Sequence, residues 1–346
     1  MVLGIVTLLA IYLATFVLYL IVPGRWVPGY VRERYHLNGL PVFIVSLALY
    51  AGLAYAKLIP WDLFYQQRWT MLGTAFVVGL IFTFAIVLPA PKTGRSFAAD
   101  LYLGRYENPQ WGRVDAKMFL YLIGAVMLAL NLVSFAAHHV LTFANDPSPG
   151  VYLYTALFLF FLTEYLFFER VHLYTYDFVA ERVGFKLGWG CLVFYPFFYC
   201  VGIWAVADKP NPHTPTYVLA LAPILFFMGW GFSRGANLQK YYFKTQPQRT
   251  HFGPIEQRAL THADKRVLIS GFWGLSRHVN YLGEILMAFG LALCLQHPAA
   301  FLYPLYYLAL LVPRQLDDDK RCAEKYGPMW EDYKRAVPYK IIPGVY

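Results

Sequence analysis

Eight apolar runs of roughly bilayer-spanning length recur along this chain, near residues 2–22, 38–56, 71–90, 118–142, 150–168, 187–207, 216–233 and 279–297, and a shorter ninth lies near 300–312. A hydrocarbon core needs about 20 consecutive apolar residues in a helix, and only helices or closed barrels satisfy every backbone polar group there without water. The runs predict an all-α, polytopic transmembrane helical bundle of about 9–10 spans. Composition agrees: 58% of the residues are hydrophobic and only 14% charged, where a soluble domain carries about a quarter charged. The first run has no basic segment before it and continues to Val22, so it reads as a span and not as a cleaved signal. With Met1 at that span, no soluble N-terminal head is expected.

A net charge of +9 would suggest nucleic acid in a soluble protein. In a membrane protein basic residues crowd the cytoplasmic loops, and here they alternate. Arg25, Arg32 and Arg34 follow the first run; Lys92, Arg95, Arg105, Arg113 and Lys117 follow the third; Arg170, Arg182 and Lys186 follow the fifth. The loops between hold little. The bias places the N-terminus outside and the C-terminus in the cytoplasm, together with the polar stretches 234–277 and 313–346, where a soluble cofactor would dock. The four cysteines, Cys191, Cys200, Cys294 and Cys322, are widely spaced and indicate neither a disulfide framework nor a metal site. The expected partners are membrane lipids, with no nucleic acid and no metal. Compact termini without an evident retention signal point to a bacterial inner membrane over the endoplasmic reticulum.

An ionisable residue inside an apolar run costs at least about 2.5 kcal/mol, so each calls for a hypothesis. Glu164 and Glu169 lie in or at the end of the aromatic run 157–170, and Asp177 follows in a polar turn. Burial would keep such a carboxyl protonated and fit to donate a proton; the alternative is that Glu169 pairs with Arg170 or another interfacial cation. His138 and His139 close the fourth run and read as a satisfied surface pair.

The last third carries the densest pattern. In Asn237-Leu-Gln-Lys-Tyr-Tyr-Phe-Lys244, Lys240 and Lys244 stand one helical turn apart, a spacing that suits a phosphate. Residues 268–284 read Leu-Ile-Ser-Gly-Phe-Trp-Gly-Leu-Ser-Arg-His-Val-Asn-Tyr-Leu-Gly-Glu, a glycine-punctuated turn leading into a helix start. Arg314, Asp318, Cys322, Tyr326 and Trp330 follow at steps of four, with Tyr333 three further on. That spacing predicts one continuous helix carrying them on one face; by itself such a face also suits an interfacial snorkelling helix.

Together these segments resemble the sterol reductase family, the carbon-14 and carbon-7 reductases, in the order N-x-Q-K-x-x-F-[RK], L-x-S-G-[FW]-W-G-x-x-R-H-x-N-Y-x-G-[DE], C-x-x-K-Y-G-x-x-W-x-x-Y and V-P-Y-x-I-I-P-G. Gly104-Arg-Tyr-Glu-Asn-Pro109 with Asp115 and Lys117, and Thr175-Tyr-Asp177 with Gly184-Phe185, extend the resemblance upstream. It implies three parts of one integral domain: N-terminal spans in 1–100, spans lining a lipid pocket in 101–233, and a cytoplasm-facing NADPH pocket in 234–346. Lys240 and Lys244 would meet the cofactor's phosphates. Trp273, Arg277, His278, Asn280 and Tyr281 would wall the adenosine, pyrophosphate or nicotinamide, and Arg314, Asp318, Cys322, Tyr326 and Tyr333 would supply the remaining contacts.

The implied reaction is reduction of a C=C bond in a sterol-like lipid, first of all the delta-14 bond, by protonation and hydride transfer. Glu164 and Glu169 are the candidate acid relay, Tyr165 or Tyr176 the final donor, and Asp177 the support. The chain also departs from the family: Pro313 and Asp317 replace basic residues while Arg314 and Asp318 keep their spacing of four, and on the lipid side the segment after Lys117 keeps only Gly124 of an E-x-R-P-G stretch, Phe161 stands near where the family often has tyrosine, and Glu164 stands for an aspartate. Alternatives are a delta-7 or delta-24 sterol, a non-sterol isoprenoid or steroid, or an isoprenylcysteine-methyltransferase-like enzyme using S-adenosylmethionine. A structural anchor is the reading outside enzymology.

Overall fold

The computed structural model describes all 346 residues, as helices with four short antiparallel hairpins. Six helices are long and apolar enough to cross a membrane, so this is a multi-pass membrane protein. Two further apolar helices have 17 residues each, and the ninth run is the first half of a longer helix. The chain divides into two compact units, Met1–Thr214 and Pro215–Tyr346. Residues 1–100 and 101–214 thus share one unit.

The first unit contains α1 (Val2–Ile21), α2 (Gly39–Tyr55), α3 (Leu63–Val87), α4 (Phe97–Leu103), α5 (Ala116–Thr142), α6 (Pro149–Phe167), α7 (Glu169–His172) and α8 (Tyr176–Val179). A π-helix (Phe185–Phe194) leads into α9 (Tyr195–Phe198) and α10 (Val201–Val206). The hairpins β1–β2 (Arg25–Val27, Tyr35–Leu37) and β3–β4 (Gln110–Trp111, Val114–Asp115) lie in its loops. Helix α5 is buried almost throughout and forms the core of the unit. It starts where it does because the Asp115 carboxylate accepts from the Met118 N–H at 3.0 Å, an N-cap. Gly124 lets the π-helix come against it: a Cβ there would lie 2.8 Å from the Cys191 carbonyl oxygen.

In the first unit side chains tie the loops at each end of the long helices to one another. At one end Arg113 donates to the Tyr19 carbonyl at 3.0 Å, Arg182 to the Arg105 carbonyl at 2.7 Å, and Lys117 to the Asp177 carbonyl at 2.9 Å. At the other, His138 meets Asp62 at 2.9 Å, the Ser148 N–H donates to His139 at 2.9 Å, and Asn211 donates to Asp146 at 2.9 Å. The histidine pair thus ties loops together.

The second unit is built on α11 (Thr216–Thr245), followed by the hairpins β5–β6 (His251–Phe252, Ile255–Glu256) and β7–β8 (Ala259–His262, Lys265–Leu268). Then come α12 (Phe272–Leu275), α13 (Val279–Leu295), α14 (Leu302–Tyr326) and α15 (Pro328–Ala336). At 30 residues, α11 is about 45 Å long, more than the roughly 30 Å of a hydrocarbon core. Its last turns project past the apolar layer. Helices α11 and α13 approach backbone to backbone: a Cβ on Gly283 would lie 2.5 Å from the Ser233 N, and one on Gly290 2.7 Å from the Ala222 carbonyl oxygen. Small residues permit such contact in lipid, where packing replaces the hydrophobic drive. Ser233 locks the pair by donating to Glu284 at 2.6 Å.

One expectation is corrected here. The residues from Arg314 to Tyr333 do not form one helix: α14 stops at Tyr326, Gly327 takes a φ of +60°, and Pro328 opens α15. Glycine in that conformation followed by proline ends one helix and starts another. Trp330 and Tyr333 consequently fold with Val337 onto Leu260, Val267 and Ile269 of the hairpin region. Short strands accompany the helices of the expected bundle: residues 251–268 form two hairpins, the first turning at Gly253 with φ +58° and the second at Ala263 with φ +51°.

A leucine at Gly283 would force α11 and α13 apart. Gly283→Leu is expected to cost about 3 kcal/mol or more, read as a lower unfolding temperature in detergent, whereas Gly73→Ala, within α3 and with nothing within 4 Å of the added atom, should cost less.

Candidate functional site

In the second unit the projecting end of α11, the turn before α13 and the polar half of α14 bring most of the expected cofactor residues together. Gln239 is fully buried and clamps this turn, donating to the Ser270 carbonyl at 3.1 Å and accepting from the Phe272 N–H at 3.0 Å. The clamp sets the Trp273 ring, whose Nε1 donates to the Ala236 carbonyl at 2.8 Å, beneath the Lys240 ammonium at 5.1 Å. Lys244 shares its electrostatic surroundings with Lys240, Lys325, Cys322 and Asp318. Tyr333 donates to the Trp273 carbonyl at 3.4 Å, and Tyr326 stacks on Trp330. Burial, more than the neighbouring carboxylates, pushes the Cys322 thiol up to about 12, so it serves as a neutral wall.

Arg277 and His278 are both buried. The Arg277 guanidinium donates to the Val337 and Pro338 carbonyls at 3.0 and 3.1 Å, and its Nε lies 3.6 Å from Asp319. It therefore docks the tail segment, whose Tyr339 and Lys340 carbonyls also accept from the Arg277 and His278 N–H groups. His278 stacks on Tyr281 and comes within 3.8 Å of Asp318. Burial, then the Lys240 charge, holds its imidazole down to about 3, so it is a neutral ring and not half of an ion pair. Its Nε2, and the Oδ1 of Asn280, are buried without a protein hydrogen-bond partner. Arg314 stands one turn before Asp318 on α14. Sequence reasoning passed over Asp319, which also accepts from Trp330 Nε1 at 3.2 Å, and Gln239, whose place in the N-x-Q-K segment was the available signal.

The five acid candidates lie in the first unit on the end of the long helix α6 and the two four-residue helices that follow it. Glu164 and Tyr165 are on α6, Glu169 on α7, and Tyr176 and Asp177 on α8. Glu164 and Glu169 are both buried. Both oxygens of the Glu169 carboxylate accept from the Gly39 N–H, at 3.1 and 3.2 Å, at the N-terminus of α2, and the Arg25 charge also acts on it. Tyr165 stacks on His172 with centroids 3.8 Å apart, and Tyr121 bridges Tyr165 to Phe178. The backbone carbonyl of Asp177 accepts from the fully buried Lys117 ammonium at 2.9 Å. Lys117, His172 and Tyr121 are parts of this cluster that the pattern of charges in apolar runs does not reveal.

Desolvation raises the Glu169 carboxyl to about 8, against smaller opposing effects of the Gly39 N–H and Arg25. An unfolded chain loses this proton near 4.5 and the folded protein near 8, so between those values the folded form binds more protons and stability falls as pH rises. The unfolding temperature should decline across that window, and Glu169→Gln should flatten the decline; an unchanged slope would assign the titration to another group.

The sequence model of the Ergosterol biosynthesis ERG4/ERG24 family matches residues 4–346. The chain is 30% identical to the Delta(14)-sterol reductase of Arabidopsis thaliana, over 98% of this chain and 97% of that protein. It is 32% identical to the mouse Delta(14)-sterol reductase TM7SF2, over 91% of this chain and 78% of the other. Against the Delta(14)-sterol reductase of Methylotuvimicrobium alcaliphilum it is 32% identical, over 94% and 78%. A match over nearly the whole length, with the ordered C-terminal motifs inside it, makes this chain a member of the ERG4/ERG24 family.

Proposed function

We propose that this chain is a membrane-embedded sterol reductase that uses NADPH to saturate the delta-14 double bond. The observation that carries the reading is the cluster where α11 and α14 leave the apolar layer: Lys240 over Trp273, with Lys244, His278 and Asp318 around it. Cations for phosphates, flat rings for stacking and a carboxylate for a ribose or amide are what a dinucleotide phosphate asks for. Buried His278 Nε2 and Asn280 Oδ1, still without protein partners, fit a polar ligand in the same place. The relatives' printed names supply the sterol and its bond. The basic loops and this cluster belong on the cytoplasmic side, with the N-terminus outside.

NADPH, when bound, supplies the hydride. The chain's residues do the rest. Lys240 and Lys244 hold phosphates, Gln239 and Tyr333 fix the Trp273 wall, and Arg277 keeps the tail closed over it. An isolated alkene is a poor hydride acceptor, so a proton must arrive first and create the cation that hydride quenches. Glu164 and Glu169 are the acids in the dry part of the protein, with Tyr165 or Tyr176 as the last donor and Asp177 in support. One hydride and one proton add across the C=C bond, and the saturated lipid leaves.

The test is NADPH consumption by the purified, detergent-solubilised protein against delta-14, delta-7 and delta-24 sterols, with products identified by mass spectrometry. The delta-14 sterol should be saturated; product from another sterol alone would move the bond. Lys240→Ala should weaken NADPH binding by at least about tenfold, and Glu164→Gln should abolish turnover with binding intact. Absence of NADPH binding would overturn the reading.

A further inference from the structure

We propose that a buried, hydrated proton path runs from the basic loops of the first unit to Glu169 through Asp115 and the phenols of Tyr19 and Tyr35. It rests on the reading of Glu169 as part of the acid relay.

Tyr19, Tyr35 and Asp115 are each no more than 2% exposed, yet the two phenol oxygens and Asp115 Oδ2 have no protein hydrogen-bond partner. Buried polar groups are hydrogen-bonded as a rule, and exceptions grouped in one place mark bound water. Geometry joins these groups: Arg32 lies over the Tyr35 ring at 5.7 Å and beside Asp115, and Asn38, whose amide donates to the Tyr19 carbonyl at 2.9 Å, immediately precedes the Gly39 N–H that meets Glu169; the Asp115 charge also acts on both phenols. Arg32, a quarter exposed, stands at the outer end, 3.5 Å from Asp115 Oδ2. At the inner end α7 carries Glu169, and its His172 stacks on Tyr165 and bonds to the Tyr165 carbonyl at 3.1 Å.

The structural needs of the region are already met by other atoms. Asn38 Nδ2 and Arg113 cap α1 through the Tyr19 and Val22 carbonyls, and Asp115 Oδ1 caps α5. What is left over is two hydroxyls, which donate and accept at once, and a carboxylate oxygen, which takes up and releases a proton. Those are the group types a proton hop requires. An anion site is disfavoured by the two carboxyls. The charges facing the path are Arg32 and Lys117 about Asp115, and Arg25 about Glu169. Only a proton moves: water at the loops gives one up, each hydroxyl or water passes one on as it accepts one, and Glu169 regains what the substrate took. No electron is transferred along it.

Tyr19→Phe discriminates relay from scaffold. Deleting a buried hydroxyl that has no partner should leave the unfolding temperature unchanged or raise it. A relay role predicts that kcat nevertheless falls about tenfold, that KM for sterol and NADPH holds, and that the solvent deuterium isotope effect on kcat increases. Asp115→Asn, which keeps a cap oxygen, should act in the same direction. Variants with wild-type kcat and isotope effect overturn the path, as does a lower kcat with an unchanged isotope effect. Failure of the reductase reading is separately visible, because the wild-type protein would then saturate no sterol.

Discussion

A helix that ends in or near lipid leaves carbonyls or N–H groups that water cannot reach, and each must find a partner or cost several kcal/mol. In the first unit that requirement is met at one place. The C-terminal carbonyls of α1 take the Asn38 amide and the Arg113 guanidinium, the first N–H of α2 takes the Glu169 carboxylate, and the N-terminus of α5 takes Asp115. Two of these three helix ends are held by side chains from distant parts of the sequence, and the third by its own N-cap. The charges that a lipid environment would exclude are therefore present because the helix ends demand them.

The second unit solves a different problem by the same physics. Its helices must hold a rigid array of cations and rings outside the apolar layer. Glycines at 229, 283 and 290 remove the side chains between α11 and α13, so the pair behaves as one beam whose far end carries Lys240 and Lys244. Gln239 then fixes the turn that leads into α13 at both its Ser270 and Phe272 backbone groups. Precision at the cluster follows from backbone contact in the membrane.

The apolar runs made the helices legible, because a span has one requirement and composition states it. The C-terminal cluster was readable only as ordered motifs: nothing in the spacing of Arg314, Asp318 and Cys322 says that the face they share ends at Gly327, since step-of-four spacing continues to Trp330 whether or not a glycine with positive φ intervenes. The hairpins at 251–268 were hidden because their strands have at most four residues each, too few for alternation to declare itself. Tyr19 and Tyr35 were invisible in another way. A tyrosine at the end of an apolar run reads as an interfacial anchor, and only the fold brings Asp115 to it.

Placing chemistry at these two locations answers a solubility conflict. A dinucleotide phosphate carries several charges and cannot enter hydrocarbon, while a sterol cannot leave it. A protein that serves both needs strong cations beyond the apolar layer and weak, desolvated acids within it. Burial that would ruin a cation's grip on phosphate is what keeps a carboxyl such as Glu169 protonated near neutral pH. The departures noted in the sequence respect this division: Pro313 and Asp317 remove basic groups from α14 while Arg314 and Asp318 keep their four-residue spacing. Glutamate at 164 in place of aspartate lengthens an acid by one methylene on the lipid side.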